Sequence, residues 1–155
     1  MKKLTVSEFT KAPQQIKKTH FIAAPIEAVW QIVADHQGMT QWVPMIKQVD
    51  LVKEDRDGHW GEGSERHCQF GPDLLQEKIV HWDPPYGYAY MIGDMHLVKD
   101  HLGHLQLSPT PEGTTITWTQ YFQPNGNFLK RFMAKNVMMP NVMSKALKNL
   151  SKKVA

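Results

Sequence analysis

The sequence of 155 residues has a single cysteine, Cys68. One thiol excludes a disulfide framework within the chain and any zinc ribbon or redox pair built from two neighbouring cysteines. No stretch approaches the roughly 20 consecutive apolar residues of a membrane span. The first residues carry charge but lack the apolar core of a signal peptide. We therefore expect a soluble, cytoplasmic protein of one domain, with residues 1–16 as an irregular arm and residues 17–150 as the core.

Acidic residues are missing from the segment between Gly126 and Ala155, which holds seven basic residues. All 15 acidic residues lie in the rest of the chain. A surface of one charge sign is either a solvated face or a site of peripheral contact with an anionic membrane, and the sequence leaves both interpretations open. Nothing in the pattern indicates a nucleic-acid partner, and a monomer and a homodimer are both compatible with it.

Short runs of alternating polar and apolar residues, separated by turns rich in Gly, Pro and Asp, predict an antiparallel meander. The predicted strands cover residues 17–23, 46–53, 64–70, 74–82, 86–92, 101–107 and 113–122. After Pro25, apolar residues at helical spacing from Ile26 to Val33 predict a helix, and a second short helix is predicted over 39–42.

The end of the chain predicts one long amphipathic helix that begins at an N-cap, either Asn125 or Asn127. Its apolar face starts at Phe128 and its basic residues lie opposite, while Pro140 is expected to kink it. A twisted sheet of about seven strands that packs on one such helix is an α+β arrangement with a pocket between the two layers. We expect that pocket to measure roughly 300–1,000 Å³.

Several short motifs occur in a fixed order. They are APIEAVW (24–30), WVP (42–44), GEG (61–63), EKIV (77–80), DPP (83–85), YAY (88–90) and GTTITW (113–118). Together they resemble the SRPBCC superfamily, also called START-like or Bet v 1-like helix-grip proteins, and most of all its polyketide cyclase/dehydrase group. The resemblance covers about residues 17 to 150. It implies a curved sheet wrapped around a long C-terminal helix, but it does not select a function, because this fold hosts lipid carriers, hormone receptors and cyclases.

The resemblance further implies that an apolar ligand binds between the concave sheet and the C-terminal helix. The residues expected to contact such a ligand are Trp30, Cys68, Phe70, Tyr88, Ile116, Trp118, Phe122, Phe132, Met139 and Met143. Strand alternation supports part of this set independently, because residues two apart on a strand, such as Tyr88 and Tyr90, share one face of the sheet.

The candidate catalytic residues are Arg66, Glu77 and Tyr90. Arg66 and Glu77 lie on two strands joined by the turn at 71–73, and two registers are open. If paired positions sum to 143, Arg66 faces Glu77; if they sum to 144, Glu77 faces His67. In the first register, Arg66 polarises a ligand carbonyl or holds a ligand carboxylate, and Glu77 acts as general base, unless the two form only a surface ion pair.

We expect no metal and no cofactor, because the eight histidines lack ligand spacing and no glycine-rich loop precedes a helix. The favoured function is binding or transport of a small hydrophobic ligand of the lipid, polyketide or isoprenoid type. The alternative is a cofactor-independent cyclase/dehydratase that acts on a polyketone in the same pocket. A third hypothesis is an interaction module that docks through the basic helix.

Overall fold

The computed structural model describes residues 1–95 and 98–154. One antiparallel sheet of seven strands runs through them in the order β1-β7-β6-β5-β4-β3-β2. The strands are β1 (Gln14–Ile22), β2 (Ile46–Lys53), β3 (Glu65–Phe70), β4 (Asp73–Asp83), β5 (Gly87–Ile92), β6 (Val98–Thr110) and β7 (Gly113–Pro124). The predicted α+β helix-grip fold is confirmed, and β1 begins inside the segment that was expected to be an irregular arm.

The helices also follow the predicted order. α1 (Ile26–Val33) and a 3-10 turn (Gln37–Gln41) lie between β1 and β2, and another 3-10 turn (Val6–Glu8) precedes β1. The C-terminal helix consists of α2 (Phe128–Met133), a π-helical segment (Ala134–Met138) and α3 (Met139–Val154). Its N-cap is Asn127, whose side chain accepts a hydrogen bond of 2.9 Å from the backbone N–H of Lys130.

A π-helical segment lies just before Pro140, the position where the sequence predicts a kink. Pro140 has no backbone N–H to donate to the carbonyl of Asn136, four residues earlier. Asn136 lies within the π segment, where the wider turn changes the hydrogen-bond partners. The helix thus accommodates the proline by widening one turn just before it.

The two ends of the C-terminal helix differ in burial. α3 buries Met143, Ala146, Leu147 and Leu150 in the core. α2 buries none of its residues, and Phe128 and Leu129 are 76% and 67% exposed. The prediction that these two belong to the buried apolar face is therefore wrong. Within the described residues, α2 contacts mainly the π segment that continues the same helix and has no extensive contact with any strand, so its apolar residues have no layer to cover.

The N-terminal arm is hydrogen-bonded to the sheet at two positions. The backbone N–H of Lys2 donates to a carboxylate oxygen of Asp83 over 2.7 Å, and the Thr10 hydroxyl donates to the carbonyl of Asp100 over 2.7 Å.

β5 is buried from Gly87 to Tyr90 without the usual alternation. Among the residues described, no helix has the length and hydrophobicity needed to cross a membrane.

Candidate ligand-binding cavity

A cavity of about 90 Å³ lies between the sheet and the C-terminal helix. Its wall contains residues of the π segment and α3, of β2 to β7, and of the segment before β2. The cavity lies where it was expected, between the sheet and the helix, but its volume is well below the roughly 300–1,000 Å³ of a typical ligand site. The cavity volume expected from the sequence is too large because side chains that point inward fill most of the space between the sheet and the helix.

Methionine forms an unusually large part of this wall. Five of the nine methionines of the chain line the cavity, namely Met39, Met95, Met138, Met139 and Met143. An unbranched thioether changes shape by rotating about three bonds, so a wall of this composition adapts to an irregular guest at low cost. Among the described residues, the polar groups on the wall are Glu77, Tyr90, Gln120 and the indole of Trp118.

The buried pair behind this wall is Arg66 and Glu77. The two residues face each other in the β3–β4 ladder, so the register in which paired positions sum to 143 is the correct one. Arg66 is 1% exposed and Glu77 is 4% exposed. Arg66 Nε and Nη2 both lie 2.8 Å from Glu77 Oε1. This is a buried ion pair rather than the surface pair that the sequence left open.

Arg66 is held by partners on three sides. Its Nη1 group lies 2.7 Å from His36 Nδ1, and both Nη groups lie 3.4 Å from the hydroxyl oxygen of Tyr88. Because arginine only donates, His36 Nδ1 must accept, and His36 Nε2 then donates to the carbonyl of Trp60 over 2.7 Å. Burial first, and then the charge of Arg66, lower the pKa of His36 to about 4. Arg66 is not itself part of the cavity wall.

The second polar group of the site is centred on Tyr90. Its hydroxyl oxygen accepts hydrogen bonds of 3.1 Å from Trp118 Nε1 and from Gln120 Nε2. Its ring lies against Gly103, where an added Cβ atom would collide with Tyr90 Cζ. Burial raises the pKa of the Tyr90 hydroxyl above its ordinary value. The phenol is therefore protonated at neutral pH and rigidly placed.

The structure brings six of the sequence-predicted site residues to the cavity wall: Phe70, Glu77, Tyr90, Trp118, Met139 and Met143. Cys68, Ile116 and Phe122 are buried in the core without lining the cavity. Burial, followed by the nearby Glu77 carboxylate, raises the pKa of the Cys68 thiol. Phe132 is 50% exposed on α2, so it does not close the pocket as expected.

Trp30 and Tyr88 belong to an aromatic cluster that does not line the cavity, although the Tyr88 ring lies 6.0 Å from that of the wall residue Tyr90, measured between centroids. Trp30 lies 5.0 Å from Trp82 and 6.5 Å from Tyr88, measured between ring centroids. A register shift in β4 between Ile79 and His81 puts Trp82 opposite Tyr88. This cluster packs beside Arg66 and His36 instead of facing the ligand cavity.

Sequence reasoning missed three residues of the site: His36, His101 and Gln120. His36 lies between α1 and the 3-10 turn, where no periodicity indicates its direction. Gln120 shares a strand face with Trp118, so alternation could have found it. His101 Nε2 lies 2.6 Å from Gln120 Oε1. Within residues 1–95 and 98–154, no three His, Cys, Asp or Glu side chains are grouped so that they could hold a metal ion.

Solved structures of several proteins share this fold. The protein XoxI from Bacillus cereus has a TM-score of 0.73 at 21% identity, covering 90% of this chain and 94% of its own. The Zhui aromatase/cyclase from Streptomyces sp. R1128 has a TM-score of 0.73 at 18% identity, with 90% and 92% covered. A START superfamily protein from Mycobacterium smegmatis has a TM-score of 0.73 at 16% identity, with 92% and 100% covered.

No curated protein matches the sequence. A family model does match, over residues 13–155, and it describes polyketide cyclase/dehydrase and lipid transport proteins. The match spans all strands from β1 to β7 and the whole C-terminal helix, and it includes the cavity wall and the Arg66–Glu77 pair. Because this family model matches residues 13–155, the chain belongs to the polyketide cyclase/dehydrase and lipid transport family, and its fold is the helix-grip fold.

Proposed function

We propose that the protein binds and carries a small hydrophobic molecule in the cavity between the sheet and α3. The observation that carries this proposal is the cavity itself, whose wall is apolar apart from Glu77, Tyr90, Trp118 and Gln120. A mostly apolar concavity with a few convergent polar groups is typical of a small-molecule site. The family description, which includes lipid transport, supports the same function.

The cavity volume of about 90 Å³ requires the wall to yield when a ligand enters. An empty apolar cavity of about 150 Å³ holds a single benzene ring, so a lipid-sized or polyketide-sized guest needs additional room. The five methionine side chains can supply part of it by rotation. α2, which buries no residue, and the π segment beside it are the parts of the helix best able to move outward.

The test is a titration with N-phenyl-1-naphthylamine, a neutral apolar fluorophore, followed by quenching of tryptophan emission. Val142→Phe adds bulk on the cavity wall and should weaken binding about tenfold. The matched control is Val52→Phe, at a β2 position that is 49% exposed and not on the cavity wall. It should bind like the wild type. Equal affinity of all three proteins would contradict a ligand site in this cavity.

A cyclase/dehydratase is the second candidate function, and the placement of Glu77 and Tyr90 on one wall favours it. The Glu77 carboxylate is a proton acceptor and the Tyr90 hydroxyl is a donor. An aldol cyclisation needs a base for the methylene proton and a donor for the ketone oxygen, after which water leaves. Arg66 would be a positioning residue for Glu77. Incubation with a linear triketone should then yield a product lighter by one water, and Glu77→Gln should abolish it.

The basic end of the chain supports a membrane step in ligand transfer. No acidic residue follows Glu112. The exposed apolar residues Phe128 and Leu129 adjoin Lys130 and Arg131, which are exposed as well. Apolar side chains flanked by cations alone complement an anionic lipid bilayer. We propose this α2 surface, rather than the Lys145 and Lys148 face of α3 alone, as the contact with such a membrane.

Flotation with phosphatidylserine vesicles and with neutral vesicles tests the membrane proposal. The wild type should float with the acidic vesicles at low salt, and salt should release it. Replacing Phe128 and Leu129 by Ser should reduce flotation more than replacing Lys145 and Lys148 by Gln. A wild type that stays unbound on acidic vesicles at low salt, or equal losses in the two double variants, would contradict it.

A further inference from the structure

The tautomer of one buried histidine is fixed by the backbone. The N–H of Ile92 donates to His101 Nδ1 over 3.1 Å, so this ring nitrogen must be the acceptor. His101 is 0% exposed, and burial lowers its pKa to about 4, which leaves it neutral at physiological pH. A neutral imidazole that accepts at Nδ1 carries its single proton on Nε2. His101 therefore donates from Nε2.

The orientation of the Gln120 amide follows from this proton. His101 Nε2 lies 2.6 Å from one end of the amide, which must be the carbonyl Oε1. The amide Nε2 then faces Tyr90 and donates to its hydroxyl oxygen over 3.1 Å. Trp118 Nε1, which can only donate, gives the same oxygen a second hydrogen bond of 3.1 Å.

Both acceptor positions of the Tyr90 hydroxyl are thus filled, while its own proton is not used. A hydroxyl has one proton to donate and two lone pairs that accept. None of the hydrogen bonds among residues 1–95 and 98–154 uses Tyr90 as the donor. The one carboxylate on the cavity wall, Glu77, contacts Arg66 instead. Tyr90 is 4% exposed, so bulk water does not readily serve as the missing acceptor.

We infer that the Tyr90 hydroxyl is a dedicated donor to a ligand oxygen, and that the ligand of this cavity carries an acceptor oxygen such as that of a ketone. This inference rests on the proposed binding function and adds the chemical class of the ligand. Gln120 and His101 are positioning residues, because their hydrogen bonds leave the Tyr90 hydroxyl without an acceptor among the described residues 1–95 and 98–154. A ligand without a hydrogen-bond acceptor leaves the buried O–H group of Tyr90 unpaired, so it binds more weakly.

The matched probes are acetophenone, labelled with 13C at its carbonyl, and isopropylbenzene, which has nearly the same shape but no acceptor. A net hydrogen bond of about 0.5–1.5 kcal/mol corresponds to a preference of about two- to tenfold. The wild type should bind acetophenone tighter by that factor, and its carbonyl 13C resonance should move downfield on binding. Tyr90→Phe should remove both the preference and the shift while still binding isopropylbenzene.

Gln120→Glu tests the positioning role separately. It keeps the size of the side chain but replaces the amide nitrogen by a carboxylate oxygen, which can only accept. The Tyr90 hydroxyl then donates to the introduced carboxylate instead of the ligand, so the ketone preference should fall to about one. Gln123→Glu, at an exposed position on the same strand, controls for the added charge and should leave the preference unchanged.

Binding of isopropylbenzene shows in each variant that the cavity is still formed. Equal binding of the two probes by the wild type, without a downfield shift, would overturn the inference and leave the proposed function standing. An unchanged ketone preference in Tyr90→Phe or Gln120→Glu would also overturn it. If neither probe binds to the wild type, the proposed function itself fails, and the inference fails with it.

Discussion

Removing the Arg66 side chain while keeping its apolar volume should destabilise the fold strongly. In Arg66→Met, the Glu77 carboxylate keeps its position at 4% exposure but loses the cation that lay 2.8 Å away. A buried charge left without its partner costs about 3–5 kcal/mol. That is a large share of the roughly 5–15 kcal/mol by which a domain of this kind is stable.

The double variant Arg66→Met/Glu77→Leu separates the cost of an unpaired charge from that of lost packing. Because it leaves no buried charge, its free energy of unfolding should return to within about 1–2 kcal/mol of the wild type. Urea unfolding, followed by circular dichroism and tryptophan fluorescence, measures all three proteins. Lys53→Met is the control, since it breaks an exposed pair with Glu65 at 3.5 Å and should cost about 0–1 kcal/mol. A loss of less than about 1 kcal/mol in Arg66→Met would refute the assignment of a buried ion pair.

Three further outcomes follow from the same structure. Burial lowers the pKa of both His36 and His101 to about 4, against 6.5 in the unfolded chain. The free energy of unfolding should therefore be highest above pH 6.5 and fall between pH 6.5 and 4. Urea unfolding that gives a constant free energy over this range would contradict this prediction. Gly103→Ala should displace the Tyr90 ring, because the new Cβ would collide with Tyr90 Cζ, and lower the melting temperature; an unchanged melting temperature would show that the ring is not held there. Asn127→Ala removes the N-cap of α2 and should cost about 1 kcal/mol in the urea experiment, whereas no loss would mean that the cap does not contribute.

Strand positions were accessible from the sequence, whereas the β3–β4 register was narrowed but not decided. Alternating residues between Gly, Pro and Asp turns mark each strand within a few residues, because a half-buried sheet imposes a period of two. β2 was predicted with its observed bounds, Ile46–Lys53. The short turn between β3 and β4 left two possible registers. In the observed register Arg66 pairs with Glu77, and both residues are buried.

Positions that depend on packing were not accessible. Phe132 continues the apolar stripe of α3 in sequence, yet α2 has no sheet to cover, and the periodicity of a helix does not show where its partner layer ends. Trp30 and Tyr88 were assigned to the cavity from the family resemblance, and Tyr88 also because it shares a strand face with Tyr90. The register shift in β4, which no residue type predicts, puts Trp82 opposite Tyr88, and neither Trp30 nor Tyr88 lines the cavity.

The hydrogen-bond pattern around Tyr90 depends on features that a sequence does not encode locally. His101 and Gln120 lie on different strands and meet only because of the β6–β7 pairing. The proton position on His101 depends on a backbone N–H from β5. Only the three-dimensional arrangement shows which atom donates and which accepts.

The methyl resonances of 13C-labelled methionine provide the most direct test of the ligand cavity. Met39, Met95, Met138, Met139 and Met143 line the cavity, whereas Met1, Met45, Met91 and Met133 do not. On titration with N-phenyl-1-naphthylamine, the five cavity resonances should shift together and saturate at one equivalent, while the other four stay in place. Unmoved cavity resonances, or shifts confined to the other four methionines, would contradict the conclusion that this cavity binds the ligand.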